Sequence, residues 1–272
     1  MKSTLARILT AFLMATPAFA VELKPETAAA FDRYVRAVET RMDDEIRNNE
    51  FLALDRLPDA SRRAAYDQIR QGQIEIQTLR ASENGRPITV PNGMIHHWLG
   101  IIFLKGATLP EVLAILQDYD NHQEIYKPRM RRSKLIERNG SDTKIHLQLF
   151  NKSVVTVFLN ADFDVRDTDY GPARYQIALR STHIAELVNP DTPGERELLS
   201  GNNHGYMLRF ASHWRVEEKD DGVYLQNESV ALSRAVPTLF ARLVNPFIKD
   251  LPRDILRHLL TDTRDAVEKA RD

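Results

Sequence analysis

Side chains able to do chemistry gather in four places along the 272-residue chain. His96 and His97 are adjacent in an apolar run, so on a strand they point to opposite faces and cannot share one metal ion. Asp118 and His122 stand four residues apart near a helix end, with Asp120 close by. A metal site needs at least a third converging ligand, and solvated charges at a helix turn explain the pair without one. His183 precedes Glu186 and could form a general-base pair with it, or both could be the polar end of a strand. Glu228 shares a strand face with Tyr224, Val230 and Leu232, so its carboxylate points toward buried surface and needs a cation. Arg180 and Arg234 are the candidates, and the result is either a structural ion pair or a carboxylate that orients a ligand.

Other chemistries are excluded outright. The chain has no cysteine, which removes thiol catalysis, disulfides and a lipoprotein anchor. It has no Gly-x-Ser-x-Gly elbow, phosphate loop, dinucleotide fingerprint or His-Glu-x-x-His, so no cofactor and no metal is expected. Lys and Arg number 37 against 38 Asp and Glu, with the signs interspersed, which leaves no electrostatic footprint for nucleic acid or an anionic membrane.

Residues 1–20 have the organisation of a secretory signal. Lys2 and Arg7 form the basic start, Ile8 to Ala15 the apolar centre, and Ala18-Phe19-Ala20 the small-x-small cleavage site. No later stretch reaches the roughly 18 apolar residues of a spanning helix, so stable membrane insertion is not expected. The expected location is periplasmic or secreted, after cleavage following Ala20.

The elements that must position these side chains change character along the chain. Residues 21–92 read as a helical N-terminal extension: Phe31, Val35, Val38 and Met42 mark one apolar face, and a second helix runs from Asp59 or Ser61 through Tyr66 and Ile69 to Gln71. Ile74, Ile76 and Leu79 indicate a short strand, and Asn84-Gly85 a tight turn. From Gly93 strands dominate. Ile95, Leu99, Ile101 and Phe103 form one strand face. Thr108 caps a helix expected to reach Asp120, with Glu111 at the capping-box spacing. Alternating strands follow, turned at Asn139-Gly140 and at Asp220-Asp221-Gly222; one carries Val155, Val157, Leu159, Ala161, Phe163 and Val165 on a single face. Arg209, His213 and Arg215 form the polar face of another and are expected at the surface. A short helix is expected near 237–244. The last is an amphipathic helix with Asp250 as its cap, its stripe formed by Leu251, Ile255, Leu259 and Thr263 and widened by Leu256, Leu260 and Val267.

Strand, helix, meandering strands and a long terminal helix make an α+β order. The stretches GMIHHWLGIIFLKGATLPEVLAILQDYDNHQEIYKP, GYMLRFASHWRVEEKDDGVYLQNESVALSR and VPTLFARLVNPFIKDLPRDILRHLL resemble the START and birch-pollen-allergen (SRPBCC) helix-grip superfamily, which also holds polyketide cyclases. The resemblance covers roughly residues 93–270 and specifies a shape, not a catalytic signature. It implies a domain over 93–272 in which a curved antiparallel sheet packs around the C-terminal helix, enclosing a cavity. The implied partner is an apolar or amphipathic, lipid-like small molecule. The cavity candidates are Leu147, Leu149, Val157, Leu159, Phe163, Tyr175, Ile177, Tyr206, Leu208, Phe210, Trp214 and Glu228, with Ser212, faced by Ile255, Leu259 and Thr263. Two alternatives accompany this non-catalytic reading. One is a cyclase/aromatase- or hydrolase-like enzyme using Glu228 or His183 in the same cavity. The other is an envelope scaffold whose extension leaves an apolar patch uncovered.

Overall fold

A computed structural model of the chain describes residues 23–152, 156–199, 202–235 and 251–271. The expected signal peptide, the helix at 237–244, the Asp250 cap and Val155 lie outside the described residues.

Helix α1 (Pro25–Arg47) has its proline in the first turn with Glu26, and Arg47 in the last, charges that suit the two ends of the helix dipole. Its buried positions, among them Phe31, Tyr34, Val35, Val38, Met42 and Glu45, recur every three or four residues. A 3-10 turn (Ala53–Arg56) and α2 (Asp59–Arg70) follow. Next come β1 (Glu75–Thr78) and a small hairpin of β2 (Ser82–Glu83) and β3 (Arg86–Pro87), turned by Asn84 and Gly85 at positive φ.

Strand β4 (Gly93–Lys105) leads to α3 (Leu109–Leu116), which opens on the expected capping box, the Thr108 N–H and hydroxyl both donating to Glu111. This helix is shorter than the sequence predicts. It stops at Leu116, and a one-turn α4 (His122–Ile125) follows. The polar run between them offers side-chain partners that compete with the helical ladder, such as Asn121 bonding Asp118.

The remaining strands are β5 (Met130–Asn139), β6 (Asp142–Lys152), β7 (Thr156–Asp169), β8 (Arg174–Val188), β9 (Arg196–Glu197), β10 (Arg209–Lys219) and β11 (Gly222–Arg234), before helix α5 (Leu251–Arg271). Nine strands form one antiparallel sheet in the order β1-β4-β11-β10-β8-β7-β6-β5, with β9 attached to β8. The expected turns hold: Asn139-Gly140 joins β5 to β6, and Asp220 and Asp221, both at positive φ, join β10 to β11. Bulges in β5 and between Asp162 and Phe163 bend the sheet. Helix α5 packs on β4 and β11. This is a helix-grip fold.

At β4, β11 and β10 both faces of the sheet are covered. On the inner face, Ile102, Leu104, Val223, Leu225, Trp214, Val216, Ile177, Phe163 and Ile145 meet Leu256, Leu260 and Val267 of α5 and the residues of α3. On the outer face, Val230, Leu232 and Ala211 meet α1, while Ile101, Phe103 and Tyr224 meet the 3-10 turn and α2. Residues Ile95, Leu99, Ile101 and Phe103 do share a strand face, and it is the outer one. The segment before Gly93 supplies this outer layer, and through β1 also an edge strand of the sheet.

The outer interface is charged as well as apolar. Glu228, fully buried, accepts from His97 Nε2 at 2.7 Å and from Arg41 of α1. The Ala81 N–H donates to the Tyr34 hydroxyl at 2.8 Å, and that hydroxyl lies within hydrogen-bond reach of His97 Nδ1 at 3.0 Å. Arg215, also fully buried, donates to Glu45 of α1 at 2.9 Å and to the Phe51 carbonyl at 2.8 Å. His213 lies 3.4 Å from Glu39 of α1. Arg215 and His213 were expected at the surface. Their face is indeed polar, but α1 covers it and supplies its counter-charges.

Burial pushes the Glu228 carboxyl up, yet the His97 hydrogen bond and the Arg41 charge outweigh it and bring it from 4.5 to about 2. A depressed carboxyl stabilises the fold above its unfolded value, and that stabilisation is lost as pH falls from about 4.5 through about 2. The difference is worth on the order of 3 kcal/mol. Glu228→Gln is therefore expected to lower unfolding free energy by about 3 kcal/mol at pH 7. In urea titrations at pH 3 the gap between the two proteins should shrink to half or less; an equal gap at both pH values would contradict this assignment.

Candidate functional site

The site is built on the inner face, where α5 crosses the sheet. The helix buries Leu256, Leu260, Thr263 and Val267. It comes close because β4 carries a glycine beneath it: a Cβ on Gly100 would lie 2.7 Å from Leu260 Cδ1 and 3.0 Å from Leu256 Cδ2. Thr263 Oγ1 pairs with the Tyr126 hydroxyl at 3.0 Å and anchors α5 to α4.

Away from this contact the packing thins. Trp98, Leu179, Ile184, Phe210, Leu149 and Leu259 touch the inner core but stay only half-buried. Cross-strand register places Trp98, Ser229, Ser212 and Leu179 in one lateral row of β4, β11, β10 and β8. The next row holds His96, Ala231 and Phe210.

A few polar groups are set among these apolar walls. His96 Nε2 lies 2.9 Å from Ser233 Oγ, and burial pushes the imidazole pKa down, which favours its neutral form. Asn227 donates to Ser212 Oγ at 2.8 Å, while its buried Oδ1 has no partner among the described residues. Ser181 Oγ accepts the Phe210 N–H at 2.9 Å. Apolar walls with sparse, fixed polar groups suit a neutral, largely apolar small molecule. Among the described residues no three His, Asp or Glu side chains are grouped to hold a metal. The residues raised by the sequence for that role are otherwise engaged: His122 is buried against the Ile115 carbonyl, and Asp118 bonds Asn121.

The sequence-derived candidates divide. Leu147, Phe163, Ile177 and Trp214 are buried in the inner core, and Leu149, Tyr175, Phe210 and Leu259 flank it. Register sets Leu159 opposite Leu149, and Val157, two residues before it, shares that face. Ser212 lies there too, opposite Ser229.

Five candidates fall elsewhere. Leu208 precedes β10 and packs on the outer cluster with α1. Glu228 is on the outer face, one residue out of phase with Asn227. Tyr206 is exposed, stacked on His204. Ile255 is 38% exposed, because the buried stripe of α5 is centred one residue further on, at Leu256 and Leu260. His183 bonds Glu197 at 2.9 Å on the exposed surface, not Glu186; Glu186 is buried and instead holds the His204 ring at 2.7 Å.

Trp98, His96, Leu179 and Ile184 were missed. Both faces of GMIHHWLGIIFLK are apolar, so alternation could not say which was inner. Gly100, the glycine in the interior of that strand, was the available signal of a close helix.

No family model matches the sequence, nor does any curated protein. Solved structures do match in fold. One is a STAR-related lipid transfer protein (fragment 25-204) from Xanthomonas axonopodis, 17% identical, covering 70% of this chain and 93% of that one, with a TM-score of 0.45. Another is the Zhui aromatase/cyclase from Streptomyces sp. R1128, at 12% identity, 66% and 97% coverage and a TM-score of 0.46. Human STARD10 is 9% identical, with 79% and 81% coverage and a TM-score of 0.45. These are likenesses of shape.

Gly100→Val would drive a branched side chain into Leu256 and Leu260. It is expected to cost about 1–3 kcal/mol and to loosen α5 selectively. Hydrogen exchange should show faster amides in α5 than in β6 and β7; uniform protection would contradict the close contact.

Proposed function

We propose that this chain is an exported protein that binds an apolar or amphipathic small molecule on the inner face of the sheet, beside α5, without transforming it. The observation behind this reading is the half-buried apolar set Trp98, Leu179, Ile184, Phe210, Leu149 and Leu259. Such side chains on the inner face of a grip leave apolar area to be covered, and covering it gains about 25 cal/mol per Å². Export rests on the basic, apolar and small-residue pattern of residues 1–20, with a periplasmic or secreted destination. Residues 21–92 act as the outer cover. Their apolar positions Phe31, Val35, Val38, Met42, Phe51, Leu52 and Ile69 are all buried, which disfavours a scaffold role through an open patch.

A catalytic use of the same face called for Glu228 or His183 on its wall. The first is held behind the sheet by Arg41 and His97, and the second is at the surface with Glu197. His96 with Ser233 is a polar pair on that wall, but among the described residues no carboxylate hydrogen-bonds its imidazole.

The chain has two tryptophans, and both Trp98 and Trp214 belong to the inner face. Titration of the mature protein with apolar ligands is therefore expected to shift tryptophan emission, and native mass spectrometry of protein from its own host to reveal a co-purifying hydrophobic molecule. Phe210→Asp should weaken uptake at least about tenfold by placing a charge in the apolar wall. A clean apo mass together with unchanged emission across a lipid panel would sink the reading.

A further inference from the structure

At the α3 end of the inner face, three polar atoms have no hydrogen-bond partner among the described residues. The Tyr119 hydroxyl and Thr143 Oγ1 belong to residues only 2% exposed, and Asp167 Oδ1 belongs to a half-buried residue; all three are buried atoms without a partner among the described residues. Orphans of this kind are uncommon, and each costs free energy unless something fills the gap.

Their placement is not scattered. Thr143 on β6 lies directly opposite Arg138 on β5 and Val165 on β7, and Asp167 is two residues beyond Val165 on the same face. Tyr119 comes down from the end of α3 with the Arg138 guanidinium 5.7 Å from its ring centre. Gln117 closes the side, donating to Asp167 Oδ2 at 3.0 Å and to the Tyr175 hydroxyl at 3.3 Å. Arg138 also donates to the Gln117 carbonyl at 3.3 Å.

We propose that Tyr119, Thr143 and Asp167 form a niche for the hydroxyl group of a neutral amphiphile, such as a long-chain alcohol or an acylglycerol. This rests on the small-molecule reading above and names the chemistry of its ligand. Asp167 Oδ1 needs a donor. The Tyr119 and Thr143 hydroxyls each need an acceptor. A ligand hydroxyl is both at once. A carboxylate head would face Asp167 without a proton to offer it, and an ammonium head would face Arg138. Charge selection therefore runs against both ions. Burial pushes the Tyr119 phenol up, with the Asp167 charge adding to it, in keeping with a hydroxyl that stays protonated and able to donate.

The test uses the full mature chain and three amphiphiles of equal chain length: tetradecyl alcohol, tetradecanoate and tetradecylamine. The alcohol should bind at least about tenfold more tightly than either ion, the factor expected from one satisfied buried hydrogen bond set against an unpaired charge. Tyr119→Phe and Thr143→Val should erase that preference while leaving the ligand-free melting temperature unchanged or raised, because each removes an orphan hydroxyl and keeps its shape. Equal binding of the three probes, or a preference that survives both variants, overturns the niche and leaves the small-molecule reading intact. Loss of melting temperature in the ligand-free variants overturns it too, since the hydroxyls would then be serving internal water. If none of the three binds, the reading on which the niche rests fails with it.

Discussion

A carboxylate with no exposed surface stays ionised only if a cation and hydrogen-bond donors are built around it, and Glu228 fixes much of this molecule by that requirement. Its oxygen collects His97 from β4 and Arg41 from α1. Two turns of α1 are thereby pinned to the centre of the sheet, with Arg215 and Glu45 repeating the arrangement nearby. Apolar contact alone would let a helix slide or rotate on a sheet; directional bonds from Tyr34, Arg41 and Glu45 define one position.

The two faces also differ in kind. Behind the sheet, charge is buried and matched, and the side chains Arg215, Glu228 and Tyr224 have essentially no exposure. In front, most groups are neutral, a histidine whose pKa burial lowers, serines, one asparagine and aromatic rings, with Asp167 and Arg138 at the α3 end and Glu186 beside His204 as the charged exceptions. Ions on the outer side are spent on holding the fold, so the inner side presents a low-charge surface next to α5.

Much of the fold was legible in local sequence. Asn-Gly and Asp-Asp-Gly marked three hairpins because only a few residues tolerate positive φ. Thr108 and Glu111 marked the start of α3, and apolar spacing marked α1 and α5. The site was less legible, for a physical reason. Where both sides of the sheet are covered, as at β4, β10 and β11, positions on both faces are buried and alternation loses its polarity. Thus Trp98 and Leu99 look equivalent in sequence though one faces α5 and the other α1. His213 and Arg215 read as solvated because their counter-charges, Glu39 and Glu45, are on a helix far away in the chain. Ile255 was misplaced by a single residue of helical phase, about 100° of rotation. The pairing of His183 with Glu197 was hidden because β9 returns to β8 only in three dimensions.

The seam between β4 and β11 has a consequence for how the protein is made. Strands β5 to β8 pair with sequence neighbours and can assemble as they appear. β4 has no partner on one side until β11 exists, and the Arg41–Glu228 and Glu45–Arg215 contacts span 187 and 170 residues. Helix α1, first of the described elements in the chain, therefore docks among the last. Until then the sheet has an exposed edge on β4 and another on β8, each able to recruit a stranger's strand. A chain cut short before β10 would keep both edges open, so its hazard is aggregation.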